Sequence, residues 1–156
     1  MHAPINRTHA TTTSHLAAPL PSADAALQGR RILVLDDDPL LAVIASLDLE
    51  DAGASFALVH DEASALVTLE QATVAGEPFD AAVLDVHLGE GRTSRSVAEQ
   101  LRAMGVPFVF HTGDPDALSG TPERWMQVGG GDAPVVSKPA PIGALTRELS
   151  RLMDIR

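Results

Sequence analysis

The chain has 156 residues, a length that fits one domain and leaves little room for a second. Apolar residues make up 45% of it and charged residues 21%, so the chain can form a buried core and is too apolar for wholesale disorder. Eleven basic against 21 acidic residues give a formal net charge of −10. This charge argues against nucleic-acid binding, which relies on Lys and Arg to neutralise phosphates.

The absence of cysteine excludes a disulfide framework, a thiolate metal site and a cysteine nucleophile. No apolar run approaches the roughly 20 residues of a membrane span. The start of the chain also lacks the apolar stretch that follows a basic one in a signal peptide. We therefore expect a cytoplasmic protein with no membrane partner.

The first 29 residues differ from the rest of the chain. They are rich in Thr, Ala, Pro and His and show no sustained period, which predicts a flexible leader at 1–29 and a folded domain at 30–156. Three histidines of the leader lie at irregular spacing, which favours a solvated segment over a metal site: His2, His9 and His15.

The folded region begins with a strand and a helix. Arg31–Asp36 is a compact apolar run stopped by carboxylates, which is typical of a buried strand. Pro39 suits the first turn of a helix, and Gly53 suits its end. Between them, three large apolar residues at i, i+4 and i+7 spacing indicate the helical period: Leu40, Ile44 and Leu47.

The same alternation continues along the chain. Further strands are predicted at Ser55–His60, Asp80–Val86, Val106–His111 and Ala133–Ser137. Further helices are predicted at Glu62–Ala75, Thr93–Met104, about Glu123–Val128, and Ile142–Met153. The last helix is expected to pack inward through Ile142, Leu145, Leu149 and Leu152. Five strands that alternate with helices predict an α/β fold with a parallel, doubly wound sheet.

Polar side chains directly follow four of the five strands. In a parallel sheet, ligands bind in the crevice beyond the carboxyl ends of the strands, so these side chains are expected to converge on one pocket. They are Asp36, Asp37 and Asp38 after the first strand, Asp85 after the third, Thr112 after the fourth, and Lys138 after the fifth. Asp38, which precedes Pro39, is expected to act only as the helix N-cap.

Clustered carboxylates repel one another unless a cation neutralises them, and Mg²⁺ binds one or two carboxylates together with phosphate oxygens. Lys138 can balance Asp85 or hold an incoming phosphoryl group. The carboxylate of Asp85 can act as a nucleophile and become an aspartyl phosphate. These residue types therefore favour phosphoryl transfer at the pocket.

Four motifs resemble the receiver domains of two-component response regulators: RILVLDDDP at Arg31–Pro39, DAAVLDVHL at Asp80–Leu88, FVFHTG at Phe108–Gly113 and VVSKP at Val135–Pro139. The resemblance covers about Arg30–Met153. It implies a flavodoxin-like fold with strand order 2-1-3-4-5. It also implies a stand-alone response regulator that is phosphorylated by a histidine kinase or a histidine phosphotransfer protein. Output would come from partner binding or from draining phosphate, without an enzymatic reaction on an external substrate.

The resemblance also implies a role for each site residue. Asp85 matches the phosphoacceptor, Thr112 the switch hydroxyl and Lys138 the family's lysine, with a cis peptide bond before Pro139. The Mg²⁺ ligands implied are Asp37 and Asp85 directly, Asp36 through water and His87 through its backbone carbonyl.

Two departures from the family pattern stand out. The stretch Val106–Gly113 is similar to an alphaproteobacterial subgroup named for Phe-Ala-Thr-Gly-x-Tyr, but His111 replaces the Ala and the Tyr is missing. Val135 stands where most receivers carry the aromatic residue that rotates in switching. An order–disorder change in the Gly-rich stretch Asp114–Gly131 is therefore expected to carry the switch.

Two other interpretations remain open. A phosphatase of the haloacid-dehalogenase type would use the pair Asp36 and Asp38, although Leu40 stands where that motif requires Thr or Val. A receiver-like interaction module that is never phosphorylated is the other, and the unusual Val135 favours it.

Overall fold

The computed structural model describes residues 25–114 and 131–154. Five strands and four helices lie within them. The strands are β1 (Arg31–Leu35), β2 (Ser55–Val59), β3 (Ala81–Leu84), β4 (Phe108–Thr112) and β5 (Val135–Ser137). The helices are α1 (Pro39–Asp51), α2 (Glu62–Val74), α3 (Arg95–Met104) and α4 (Ala144–Asp154). Every strand and helix predicted in the described part of the chain is confirmed, with small shifts at the ends.

The five strands form one parallel sheet in the order β2-β1-β3-β4-β5, as predicted. The central strands β1 and β3 are buried on both faces because helices cover both sides of the sheet. The carboxyl ends of β1, β3, β4 and β5 therefore lie side by side along one edge, and this places the candidate site.

Two apolar clusters lie on opposite faces of the sheet. One packs α2 and α3 against the sheet, with Leu69 and Leu101 fully buried. The other packs α1 and α4 against the opposite face, with Leu49 and Leu149 fully buried. These clusters fix the sheet from both sides and leave its carboxyl edge open.

The N-cap of α1 agrees with the sequence. The face that the helix buries, however, is not the one that the apolar spacing predicts. Asp38 is the N-cap, and its Oδ1 accepts hydrogen bonds from the backbone N–H groups of Leu40 and Leu41, as expected. The residues that define the i, i+4, i+7 face are more than half exposed: Leu40, Ile44 and Leu47. The helix is apolar on nearly every side, so spacing alone does not select the buried face. Three small residues and one leucine are buried instead: Ala42, Ala45, Ser46 and Leu49.

The expected inward position of Ile142 is wrong. Ile142 lies in the turn before α4 and is 94% exposed, because the helix begins only at Ala144, after Gly143 with a φ of 78°. Leu145 and Leu149 are buried as expected, and Leu152 packs at the edge of the cluster.

The predicted leader boundary at residue 29 is also wrong in detail. Leu27 is fully buried in the α1–α4 cluster, and its backbone N–H donates to the carbonyl of Ala52 at 3.0 Å. The folded unit therefore includes residues 25–29. The rest of the leader and the short helix expected about Glu123–Val128 lie outside the described residues. Within the described part of the chain, no helix is long and apolar enough to cross a membrane.

Candidate functional site

The site lies at the carboxyl edge of the sheet, where three carboxylates meet. Asp36 and Asp37 follow β1, and Asp85 follows β3. One carboxylate oxygen from each residue lies within 4.8 Å of the other two. Asp36 and Asp85 are buried and Asp37 is exposed, so the cluster opens to solvent on the Asp37 side. The convergence predicted for these three residues is confirmed.

Lys138 enters the cluster from the end of β5. Its Nζ donates to Asp36 Oδ2 and to Asp85 Oδ2, each at 2.6 Å. Burial by itself lowers the pKa of Lys138, but the hydrogen bonds and charges of the two carboxylates outweigh it and raise that pKa above its ordinary value. Lys138 is therefore a fixed positive charge between the two carboxylates. The expected pairing with Asp85 is confirmed, and the second contact with Asp36 was not predicted.

The two buried carboxylates, Asp36 and Asp85, differ in their hydrogen bonds and in their exposure to solvent. Asp36 Oδ1 accepts the backbone N–H of Asp38 at 3.1 Å, so both of its oxygens are bonded, and its side chain is only 3% exposed. Burial raises the pKa of Asp36, since the loss of hydration outweighs the lowering effect of Lys138. Asp85 Oδ1 has a longer contact of 3.3 Å from the N–H of His87, and its side chain is 11% exposed. Asp85 is thus the more accessible of the two.

The loop after β3 approaches Asp37. His87 pairs with Thr93 across this loop, and Gly89 has a φ of 67°. A Cβ at Gly89 would lie 3.1 Å from Asp37 Oδ2, so a side chain there would crowd the exposed carboxylate in addition to straining the backbone. The backbone of His87 lies beside Asp85, since its N–H contacts Asp85 Oδ1, while the His87 side chain is exposed.

Thr112 ends β4 and is 1% exposed. Its hydroxyl accepts the N–H of Asp114 at 3.2 Å, and its carbonyl accepts the N–H of Lys138 at 2.8 Å. The peptide bond between Lys138 and Pro139 is cis, as expected. Thr112 and Lys138 are therefore linked through the backbone at neighbouring strand ends. Val135 is half-buried against the α2–α3 cluster.

Asp38 does not join the carboxylate cluster, because its side chain caps α1. Two histidines to which the sequence analysis assigned no role at the site lie near it. His60 Nδ1 lies 2.9 Å from the carbonyl oxygen of Asp36 and ties the ends of β2 and β1 together. His111 is buried at the end of β4. In the sequence, His60 closes the apolar run Ser55–His60 and His111 closes the run Val106–His111. This position at the end of an apolar run was the sequence feature that could have drawn attention to them.

The charge balance of the cluster fits a divalent cation. Three carboxylates face one ammonium group, which leaves two negative charges uncompensated among the described residues. An oxygen-only donor set that is open to solvent on one side suits Mg²⁺, which keeps several of its waters. The residues present therefore fit the metal that the sequence resemblance implies.

Comparisons with known proteins identify the fold. No protein-family model and no curated protein matches the sequence. A response regulator receiver protein from Sinorhizobium medicae matches at 24% identity over 80% of this chain and 94% of that chain, with a TM-score of 0.64. A sensor protein from Polaromonas matches at 25% identity over 81% and 98% of the two chains, with a TM-score of 0.61. The response regulator PhyR from Brucella abortus matches at 21% identity over 86% of this chain but only 52% of its own, with a TM-score of 0.63.

Two of these neighbours are described as response regulators, one of them as a receiver protein, and this chain shares the fold of all three: a flavodoxin-like parallel sheet with strand order 2-1-3-4-5. The acidic cluster lies where the sequence resemblance to receivers places it.

Proposed function

We propose that the protein is a response regulator that accepts a phosphoryl group on Asp85. The geometry at Asp85 is the observation that carries this proposal. One oxygen is held by Lys138 at 2.6 Å, while the other has only a 3.3 Å contact and belongs to a partly exposed side chain. That second oxygen, Oδ1, is the nucleophile. A carboxylate held in this way is oriented for in-line attack with little loss of freedom.

The donor is the phosphohistidine of a histidine kinase or of a histidine phosphotransfer protein. Asp85 Oδ1 forms a bond to phosphorus, the bond between phosphorus and the donor's imidazole nitrogen breaks, and that nitrogen keeps the bonding electron pair. The imidazole then takes a proton from solvent. Lys138 stays beside Asp85 Oδ2 and offsets part of the added negative charge.

In this proposal Mg²⁺ would be held by Asp37 and Asp85, by Asp36 through water and by the backbone carbonyl of His87. When bound, the metal neutralises charge on the phosphoryl oxygens. Thr112 would donate a hydrogen bond from its hydroxyl to a phosphoryl oxygen after rotating away from its contact with the N–H of Asp114. This rotation transmits the modification to the end of β4 and, through the backbone bond to Lys138, to the end of β5.

The output is proposed to be protein binding on the side of the molecule from β4 to the last helix, or the removal of phosphate from a shared kinase. A structural neighbour from Bartonella quintana is described as the anti-anti-sigma factor PhyR, which supports protein partners as one form of output; this chain covers about half of it. The cytoplasmic location and the alphaproteobacterial subgroup also remain predictions. The order–disorder switch proposed for Asp114–Gly131 falls almost wholly outside the described residues.

The same site bears on the two alternative functions, a phosphatase and an unphosphorylated interaction module. A phosphatase that uses Asp36 as nucleophile is disfavoured, because both oxygens of Asp36 are engaged and the side chain is 3% exposed. An unphosphorylated interaction module is favoured only by Val135, which lacks an aromatic ring to couple with Thr112.

Intact mass spectrometry after incubation with Mg²⁺ and acetyl phosphate tests the proposal. The wild-type protein is expected to gain about 80 Da, the mass of one phosphoryl group on a carboxylate. Asp85→Asn is expected to remove the adduct. Asp51→Asn is the matched control, because Asp51 lies exposed near the end of α1, and it is expected to keep the adduct. An unmodified wild-type protein would support the interaction module, and an adduct that survives Asp85→Asn but not Asp36→Asn would support the phosphatase.

A further inference from the structure

An apolar groove of about 370 Å³ lies between α1 and the loop that joins β5 to α4. Ile44 and Leu47 line it from α1, and Pro141 and Ile142 line it from the loop. Ile44, Leu47 and Ile142 are each more than half exposed, so the described part of the chain leaves the groove open to solvent. A contiguous apolar surface of this kind marks a contact with another segment or molecule.

Two carboxylates also line the groove and restrict what it can hold. Asp48 Oδ1 accepts the N–H of Gly143 at 2.6 Å, and Asp51 lies exposed in the last turn of α1. Their negative charges repel an acidic occupant. The groove therefore suits an apolar segment that carries no acidic residues.

The chain that precedes β1 meets the folded unit at the end of the same helix. The backbone N–H of Leu27 donates to the carbonyl oxygen of Ala52, which directly follows Asp51. Leu27 is fully buried in the α1–α4 cluster, which also contains two residues that line the groove, Ala45 and Leu145. The leader is therefore attached on the same face of the sheet as the groove and close to its Asp51 end.

The sequence of the leader matches the chemistry of the groove. Leu16–Pro21 consists only of Leu, Ala and Pro, and residues 1–23 contain no Asp or Glu. The stretch from Leu20 to Leu27 can extend to about 23 Å, and the α1 wall of the groove, from Leu41 to Asp51, is about 15 Å long. The apolar run can therefore reach the whole groove. A short tether also gives it an effective concentration in the millimolar range, so a weak contact is enough for binding.

We propose that Leu16–Pro21 binds in the groove of its own chain, with Leu16 and Leu20 packed against the exposed apolar side chains of α1 and the loop. The segment binds in an extended form, because each proline disfavours helical geometry in the residue before it. The loop that follows Lys138 forms part of the groove, so a protein that docks on this loop must first displace the leader. The contact requires neither Mg²⁺ nor a phosphodonor.

Paramagnetic broadening in NMR spectra of the ¹⁵N-labelled full chain tests this proposal. The sequence has no cysteine, so Ser14→Cys provides a single attachment point for a nitroxide, two residues before Leu16. We expect loss of the amide signals of Ile44 and Leu47, and no loss at Val74, which lies on α2 and thus on the opposite face of the sheet. Intact signals at Ile44 and Leu47, or equal losses at Val74, would overturn the proposal.

A mixed sample separates binding within one chain from binding between two copies. It combines ¹⁵N-labelled protein that carries no nitroxide with unlabelled protein that carries it on Ser14→Cys. We expect no signal loss at the groove in this sample. Loss of the Ile44 and Leu47 signals there would mean that a second copy supplies the segment, and would overturn the assignment to the same chain.

Matched variants of the nitroxide-labelled chain separate binding from the mere proximity of a tethered label. The double substitution Leu16→Ser and Leu20→Ser is expected to restore the groove signals. Ile5→Ser, the same kind of change elsewhere in the leader, is expected to leave the losses in place. Ile44→Lys, at an exposed position of the groove, is expected to restore the signal of Leu47. Losses that persist in the double variant, or that disappear in Ile5→Ser, would overturn the assignment to Leu16–Pro21. Because no phosphodonor is present, the outcome does not depend on the proposed function.

Discussion

The two faces of the sheet are covered in different ways. On the α2–α3 face, large side chains fill the space under the helices, and Phe108 and Phe110 meet edge to face at 5.4 Å. On the α1–α4 face, α1 packs through Ala42, Ala45 and Leu49 but leaves Ile44 and Leu47 more than half exposed, and a groove remains beside α4. The side chains buried under α3 form a closed core, although a groove of about 470 Å³ lies at the surface between α2 and α3. The second face combines a close helix contact with an open apolar surface.

This difference shows that apolar content does not reveal how a helix packs. In α3, polar residues occupy one side, so the apolar residues Val97 and Leu101 have only one face to bury and do so. In α1, apolar residues surround the helix, and the buried face consists of small residues together with Leu49. This contrast can be tested by substitutions that change the free energy of unfolding by different amounts.

The largest effect is expected in the closed core. Leu101→Ala removes a fully buried side chain from α3 and leaves a cavity between the helix and the sheet. The expected loss in the free energy of unfolding is about 2–5 kcal/mol. Urea denaturation followed by circular dichroism measures it. A loss below about 1 kcal/mol would show that the packing under α3 is loose, since surface substitutions alone have effects of that size.

The next largest effect concerns the α1–α4 face, where His111 is expected to make the free energy of unfolding depend on pH. Its pKa is lowered from 6.5 to about 4, mainly by burial and also by Lys138, while Asp36 and Asp48 oppose the shift. Between these pH values the unfolded chain binds the proton and the folded protein does not, so stability falls as pH drops from 6.5 towards 4. At about 1.4 kcal/mol for each unit of pKa, the loss from this group approaches ~3 kcal/mol.

Urea denaturation at several pH values measures that slope, and His111→Phe is the control. The variant fills the same space without a titrating group, so it is expected to lose less stability than the wild-type protein over this range. Identical slopes in the two proteins would show that His111 is not held neutral by the fold.

A smaller effect is expected where α1 approaches the sheet. Ala42 is fully buried, so Ala42→Leu forces extra volume into a close helix contact. Overpacking of this kind costs about 1–3 kcal/mol. Thermal and urea denaturation compare the variant with Ala42→Gly, which lowers helix propensity without adding volume. An unchanged stability in Ala42→Leu would mean that α1 can move away from the sheet freely.

The smallest effect is expected on the exposed side of the same helix. Leu47 is 53% exposed, so Leu47→Ala removes little buried surface and is expected to change the free energy of unfolding by no more than about 0.5 kcal/mol. Leu101→Ala is the matched substitution in the closed core. If the two variants lost the same stability, the contrast between the two faces would be wrong.

Much of this arrangement could be predicted from the sequence. Strand ends are marked by polar residues after apolar runs, and parallel topology brings those ends together, so Asp36, Asp37, Asp85 and Lys138 were placed correctly. The N-cap role of Asp38 followed from its position before Pro39. Local sequence carries these features because each depends on a residue and its immediate neighbours.

Other features depend on distant packing and were not predicted. The buried face of α1 is set by how closely the helix can approach the sheet, and the exposure of Ile142 is set by where α4 begins. The second contact of Lys138, to Asp36, depends on the distance between β1 and β5 ends. The lack of a hydrogen-bond partner for His111 among the described residues depends on how side chains from other elements pack around β4.

The central claim is that Asp85, among the clustered carboxylates, receives the phosphoryl group. Reduction of the phosphorylated protein with borohydride converts an aspartyl phosphate to homoserine, and peptide mass spectrometry then locates that residue. After incubation with Mg²⁺ and acetyl phosphate, homoserine is expected at position 85 and nowhere else. Homoserine at position 36 or 37, or its absence from a protein that remains folded, would contradict the account.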